Sequence, residues 1–153
     1  MKALTNFVGA FYLKGCVYKM AYQGYLLKTG NYIFPLELIR AETYEITKNE
    51  QDLDSYTDAS GELHRNALEH WVVKIEFEVI GMLDNIQLAQ LWANLQNNYL
   101  NSTEKCSNLE FYLPELDSYI TQKAYIPTVS TPMSYVDHEK IVYQQVRFAF
   151  IGY

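Results

Sequence analysis

Between Trp71 and Ile80 the chain reads WVVKIEFEVI, with Val73, Ile75, Phe77 and Val79 in one phase and Lys74, Glu76 and Glu78 in the other. Alternation of this kind predicts a strand with one face in a core and the other in water. The same period recurs at Tyr44 and Ile46 within Ala41–Thr47. It returns at Leu109, Phe111 and Leu113 before Pro114, and at Ile120, Gln122, Ala124 and Ile126. Tyr22–Lys28 and Tyr32–Phe34 flank Thr29-Gly30-Asn31, a hairpin signal ended by Pro35. In the last stretch, Lys140–Tyr153, Ile141 and Tyr143 keep one phase while Val146, Phe148 and Phe150 keep the other. A single strand with that pattern needs one extra residue, which predicts a β-bulge near Gln144-Gln145.

Only one segment shifts to a period of 3.6. Asp84 and Gln87 form a capping-box pair, Leu83 is placed to staple against Leu88, and Leu88, Leu91, Trp92 and Leu95 make an apolar stripe with Ile86 alongside. A core-covering helix over about 84–98 follows. Lys48–Arg65 is polar and turn-rich and reads as a long surface loop or hairpin, and Pro127–Met133 as a connection running along a sheet edge. The predicted fold is α+β, mainly β: an antiparallel β-barrel or sandwich of about six to eight strands with one flanking helix.

The length of 153 residues suits one domain with a core of its own. With 12 Lys plus Arg against 18 Asp plus Glu the formal charge is −6, and the basic residues do not cluster, so no specific nucleic-acid binding is expected. There is no apolar run of roughly 18 residues, so no membrane-spanning helix is expected. Fourteen tyrosines suit either half-buried strand faces or protein contact surfaces, and composition leaves both readings open.

Residues 1–19, MKALTNFVGAFYLKGCVYK, stand apart from this pattern. They lack a small-x-small cleavage site, and Lys14 spoils a lipoprotein reading of Leu13-Lys14-Gly15-Cys16. Back-translation of Lys14-Gly15 allows a ribosome-binding stretch, which makes Met20 the start and 20–153 the single domain. The other reading keeps 1–19 as an extension whose apolar content docks as a short helix or as an added strand on the body or a neighbouring subunit.

Candidate chemistry is sparse. Asp52, Asp54 and Asp58 have the spacing of a calcium loop, yet Tyr56 holds the fifth position, Thr57 stands where the sharp turn needs Gly, and Leu63 replaces the closing Glu. His64, His70 and His138 form no zinc motif, and the group His64, Arg65, Glu69 and His70 flanks a loop where polar residues are expected anyway. Cys16 and Cys106 have no paired spacing, and Asn101-Ser102-Thr103 is a bare three-residue glycosylation pattern. No serine elbow and no glycine-rich phosphate cradle occurs. No catalytic residue, metal ligand or cofactor is expected.

Four stretches carry a family resemblance: Met20–Lys28, Asp52–Arg65 (DLDSYTDASGELHR), Lys74–Glu78 and Arg147–Tyr153. Together they resemble a family of small uncharacterised prophage proteins, encoded among virion structural genes in phages and prophages of Gram-positive bacteria. The strand-rich plan with one helix is also similar to the tail-tube superfamily of tube, distal-tail and baseplate-hub proteins. This implies a virion structural protein of the tail or baseplate that forms homo-oligomeric rings with other tail proteins, located in the virion after assembly in the host cytoplasm. The alternative is a small prophage-encoded module that binds a host protein. On the ring reading Asp52, Asp54, Tyr56, Asp58 and Arg65 form the candidate subunit-contact loop, with the three acids and Arg65 setting register between subunits.

Overall fold

The alternating segment around Phe77 forms the longest strand of the molecule, and the sheet is built around it. The computed structural model describes residues 22–153 together with the short strands β1 (Phe11–Leu13) and β2 (Cys16–Tyr18). Expectations about the start site and the remainder of 1–21 lie outside the described residues. β1 and β2 pair antiparallel and make a sheet of their own.

The main sheet has seven strands: β3 (Leu27–Thr29), β4 (Tyr32–Ile33), β5 (Glu45–Thr57), β6 (Leu63–Val79), β7 (Cys106–Leu113), β8 (Ser118–Tyr125) and β11 (Val146–Gly152), in the order β4-β3-β7-β8-β11-β6-β5. Each of the paired neighbours runs antiparallel. The sheet does not close on itself among the described residues, so the architecture is an open, sandwich-like one. A second pair, β9 (Met133–Val136) and β10 (Ile141–Tyr143), lies outside it.

Alternation places Leu27, Leu109, Phe111, Val73, Ile75, Phe77, Val79, Phe148 and Phe150 in one buried layer. Phe77 sits at its centre, with its ring centroid 5.0 Å from Phe34 and 6.1 Å from Phe148. The helix α1 (Asn85–Gln96) adds Leu88, Leu91 and Leu95 to that layer, and Trp92 packs on Phe148. Asp84 caps it as the sequence predicts: its side chain accepts from Gln87 N at 2.8 Å, and Gln87 Oε1 accepts from Asp84 N at 3.1 Å. Two details differ. The helix ends at Gln96, and Ile86 is exposed, because its position in the first turn turns it away from the sheet.

The single bulged strand expected over Lys140–Tyr153 is not formed: Val142 is the buried residue of β10, in the same phase as Val146, Phe148 and Phe150, and the ladder has an irregularity between Val142 and Tyr143. The chain breaks at Gln144-Gln145 between β10, which pairs with β9, and β11, which pairs with β6 and β8. Ala41–Thr43 is a 3-10 turn, so strand β5 starts at Glu45.

Gln122, predicted to share a face with Ile120 and Ala124, explains how β6 leaves the sheet. Its Oε1 accepts from Val73 N at 3.1 Å and its Nε2 donates to Trp71 O at 3.3 Å. The side-chain amide stands in for a missing strand partner, as buried backbone groups require. A Cβ on neighbouring Gly152 would come within 2.9 Å of Gln122 Oε1 and 3.0 Å of Val73 N, so a glycine is needed at that approach.

Candidate interaction surface on the β5–β6 arm

Between Asn49 and His70 nearly every residue of the β5–β6 hairpin is exposed, out to the tip and on both faces, among the described residues. The projecting strand covers Asn49–Thr57, which at the usual strand rise makes an arm about 30 Å long. The polar composition that reads as a loop is held as strand by the ladder itself, with Tyr56 opposite His64, Asp54 opposite Asn66 and Thr57 opposite Leu63. Register shifts on both sides of Asp52 mark irregularities that increase local twist. A two-stranded ribbon without a buried face is marginal in water. Leu53 is nevertheless 69% exposed, and Tyr56, Leu63 and Leu68 are exposed with it.

All five candidate contact residues fall on this arm, and most of their charge is engaged inside it. Arg65 Nε and Nη2 donate to the two carboxylate oxygens of Asp52 at 3.0 and 2.8 Å. Asp58 organises the tip: its Oδ1 accepts from Ser60 N, Ser60 Oγ and Glu62 N, and its Oδ2 lies 3.0 Å from His64 Nε2. The Ser60 hydroxyl, then His64 and the Glu62 amide, hold the Asp58 carboxyl well below the usual carboxylate range. Tyr56 stacks on His64 with centroids 4.9 Å apart. Gly61, at φ 88°, supplies the left-handed residue that the turn requires.

The chemistry weighed from sequence resolves in the same way. His64 and His70 part company, since His70 Nε2 is 3.1 Å from the carbonyl oxygen of Tyr153. Asp58, Glu62 and His64 bring three ligand atoms within 4.8 Å of one another at the exposed tip, where Asp58 Oδ1 accepts the bonds of the turn and Oδ2 faces His64. Asn101 caps its own turn, accepting from Thr103 N and Glu104 N. A cleft of about 630 Å³ beside the end of α1 has Lys105 and Tyr99 as its only titratable liners.

The tyrosines divide between the two readings left open by composition. Tyr22, Tyr25, Tyr112 and Tyr119 tile the outer face of β3, β7 and β8, with centroids 4.6 Å apart for Tyr25 and Tyr119 and 5.6 Å for Tyr112 and Tyr119. Three of these hydroxyls are used within the chain: Tyr25 donates to Glu110, Tyr112 to Asp117 and Tyr119 to Tyr25 O. Tyr56 and Tyr135, by contrast, stand exposed on the β5–β6 and β9–β10 hairpins. The second hairpin was not legible in the sequence, since all four residues of β9 are exposed and show no alternation of burial.

The fold has a counterpart among solved structures. A chain in "Tail of empty GTA particle computed with helical refinement, C6 symmetry" superposes with a TM-score of 0.50 at 12% identity, covering 87% of this chain and 95% of that chain. A chain in "Virion of native gene transfer agent (GTA) particle" gives a TM-score of 0.48 at 12% identity over 84% of this chain and 89% of that one. No curated protein matches the sequence. Residues 20–153 match the family of unknown function DUF6711, and the chain belongs to that family.

Proposed function

We propose that the chain is a structural subunit of a phage-like tail, at the tube or baseplate level, which packs side by side into rings and contacts other tail proteins. The observation that carries this reading is the shared fold with a chain of a tail of C6 symmetry, matched over nearly the whole length of both. The 20–153 domain forms the ring body on this reading, and 1–19 is an extension to it. The arm supports the same reading, because a marginal ribbon with exposed Leu53, Tyr56 and Leu63 gains stability by packing on a neighbour. An acidic subunit also suits a lumen through which DNA slides without sticking. No cofactor and no catalytic step enter the proposal.

Sedimentation velocity and negative-stain imaging of the full chain test it, alone and co-expressed with neighbouring tail genes. Closed rings, stacked tubes or incorporation into tails are the expected results. A monomer that enters no particle in either setting overturns the tail reading and favours a module that binds a host protein.

A further inference from the structure

The arm and the N-terminal segment are opposite in charge. Between Asn49 and His70, Glu50, Asp52, Asp54, Asp58, Glu62 and Glu69 stand against Arg65 alone, a net −5 out of the chain's −6. The arm's single cation is already held by Asp52. Residues 1–19 carry Lys2, Lys14 and Lys19 and no acidic residue, a net +3. Elsewhere Lys28, Arg40, Lys48, Lys74, Lys123 and Arg147 each have a carboxylate within 4.0 Å. That leaves Lys105 and Lys140 as the cations without such a partner among the described residues, and they form no patch that could receive the arm.

The two segments are also incomplete in the same structural sense. β1 pairs with β2 and with no other strand among the described residues, while β5 ends the main sheet and leaves one edge without a strand. Each is a ribbon that gains from a further strand. Two arms set side by side would repel, whereas a segment of net charge +3 meeting the acidic arm satisfies its charge, and the exposed Leu53, Tyr56 and Leu63 of the arm gain cover.

We propose that the N-terminal hairpin of one copy docks on the acidic β5–β6 arm of the next copy, a head-to-tail contact between different surfaces. It rests on the ring-forming reading above and names the partner of the arm. A contact of this type closes into a ring or runs on as a filament, because each copy offers one donor and one acceptor surface. Its charged part weakens with salt, since the Debye length falls from about 30 Å at 0.01 M to about 8 Å at 0.15 M.

The test uses full-length protein in sedimentation velocity at low and high salt, with two variants. Lys14→Glu with Lys19→Glu turns the N-terminal net charge from +3 to −1, and Asp54→Lys with Glu62→Lys cuts the arm's from −5 to −1 at side chains with no hydrogen-bonded partner among those described. The wild type is expected to associate at low salt, and each variant alone to associate at least about tenfold more weakly. Mixing the variants is expected to give one-to-one pairs that grow no further, because only one intact arm and one intact N-terminal segment then meet. Variants that associate like the wild type, or a mixture with no pairs, overturn the contact while leaving the tail reading standing. A native protein whose intact mass starts at Met20 overturns it too. A wild type that stays monomeric at both salt concentrations overturns the contact, and the tail reading is then decided by incorporation into particles.

Discussion

Arg65 and Asp52 lock across the arm through a two-point contact, 3.0 Å from Nε and 2.8 Å from Nη2 to the two carboxylate oxygens. The guanidinium that pattern alone would offer to a neighbouring subunit is therefore spent inside its own hairpin, and the arm presents a nearly uniform negative surface. Because the pair is solvent-exposed, its effect is local. Arg65→Ala is expected to leave the melting temperature of the body unchanged and to speed amide hydrogen exchange along the arm. A lowered melting temperature would show the arm to be coupled to the core.

Gln122 carries the point where β6 leaves the sheet. Gln122→Leu removes the acceptor for Val73 N and the donor to Trp71 O, leaving partly buried backbone groups unpaired. The expected loss is about 1–3 kcal/mol in urea unfolding. Gly152→Ala strikes the same node through its close approach to Gln122 Oε1 and Val73 N. The double variant is therefore expected to lose less than the sum of the two single losses.

The arm tip responds to acid in one direction. The Asp58 carboxyl is depressed in the folded state by the Ser60 hydroxyl first, then His64 and the Glu62 amide. Its contribution is fully present above the ordinary aspartate pKa of about 3.9 and is lost as pH falls through the lower folded value. Exchange protection of the Ser60 and Glu62 amides should persist through pH 5 and fade only in stronger acid. Asp58→Asn should abolish that acid dependence.

Tyr25 responds at the other end of the scale. Burial, followed by its hydrogen bond to Glu110, pushes its phenol up to about 12. The neutral phenol is the form the fold favours, so its contribution is intact below pH 10 and is lost as pH rises through about 12. Ultraviolet titration should show Tyr25 among the last tyrosines to ionise. Glu110→Gln should bring it down.

Much of the fold was legible in the chain because the relevant physics is local. Alternation at Val73, Ile75, Phe77 and Val79, and again at Leu109, Phe111 and Leu113, places the buried layer where the structure has it. The capping box at Asp84 and Gln87 marks the start of α1 to the residue. The arm was visible as a polar, turn-rich stretch and its contact residues as a cluster, but its extension as continuous strand was not. Exposed ribbon has no burial pattern, and its strand character comes from the ladder between β5 and β6.

By itself, then, the sequence determined which residues face a core, where the helix begins and which segment stays polar, since side-chain direction repeats every 2 or 3.6 residues whatever the distant chain does. Tertiary structure alone decided that β10 and β11 belong to different sheets and that Ile86 faces water. It also decided that Gln122 replaces a strand partner and that Arg65 is neutralised within its own arm. Each of these depends on which segments meet across the fold, and pairing between remote segments is set by the packing of the whole, not by local pattern.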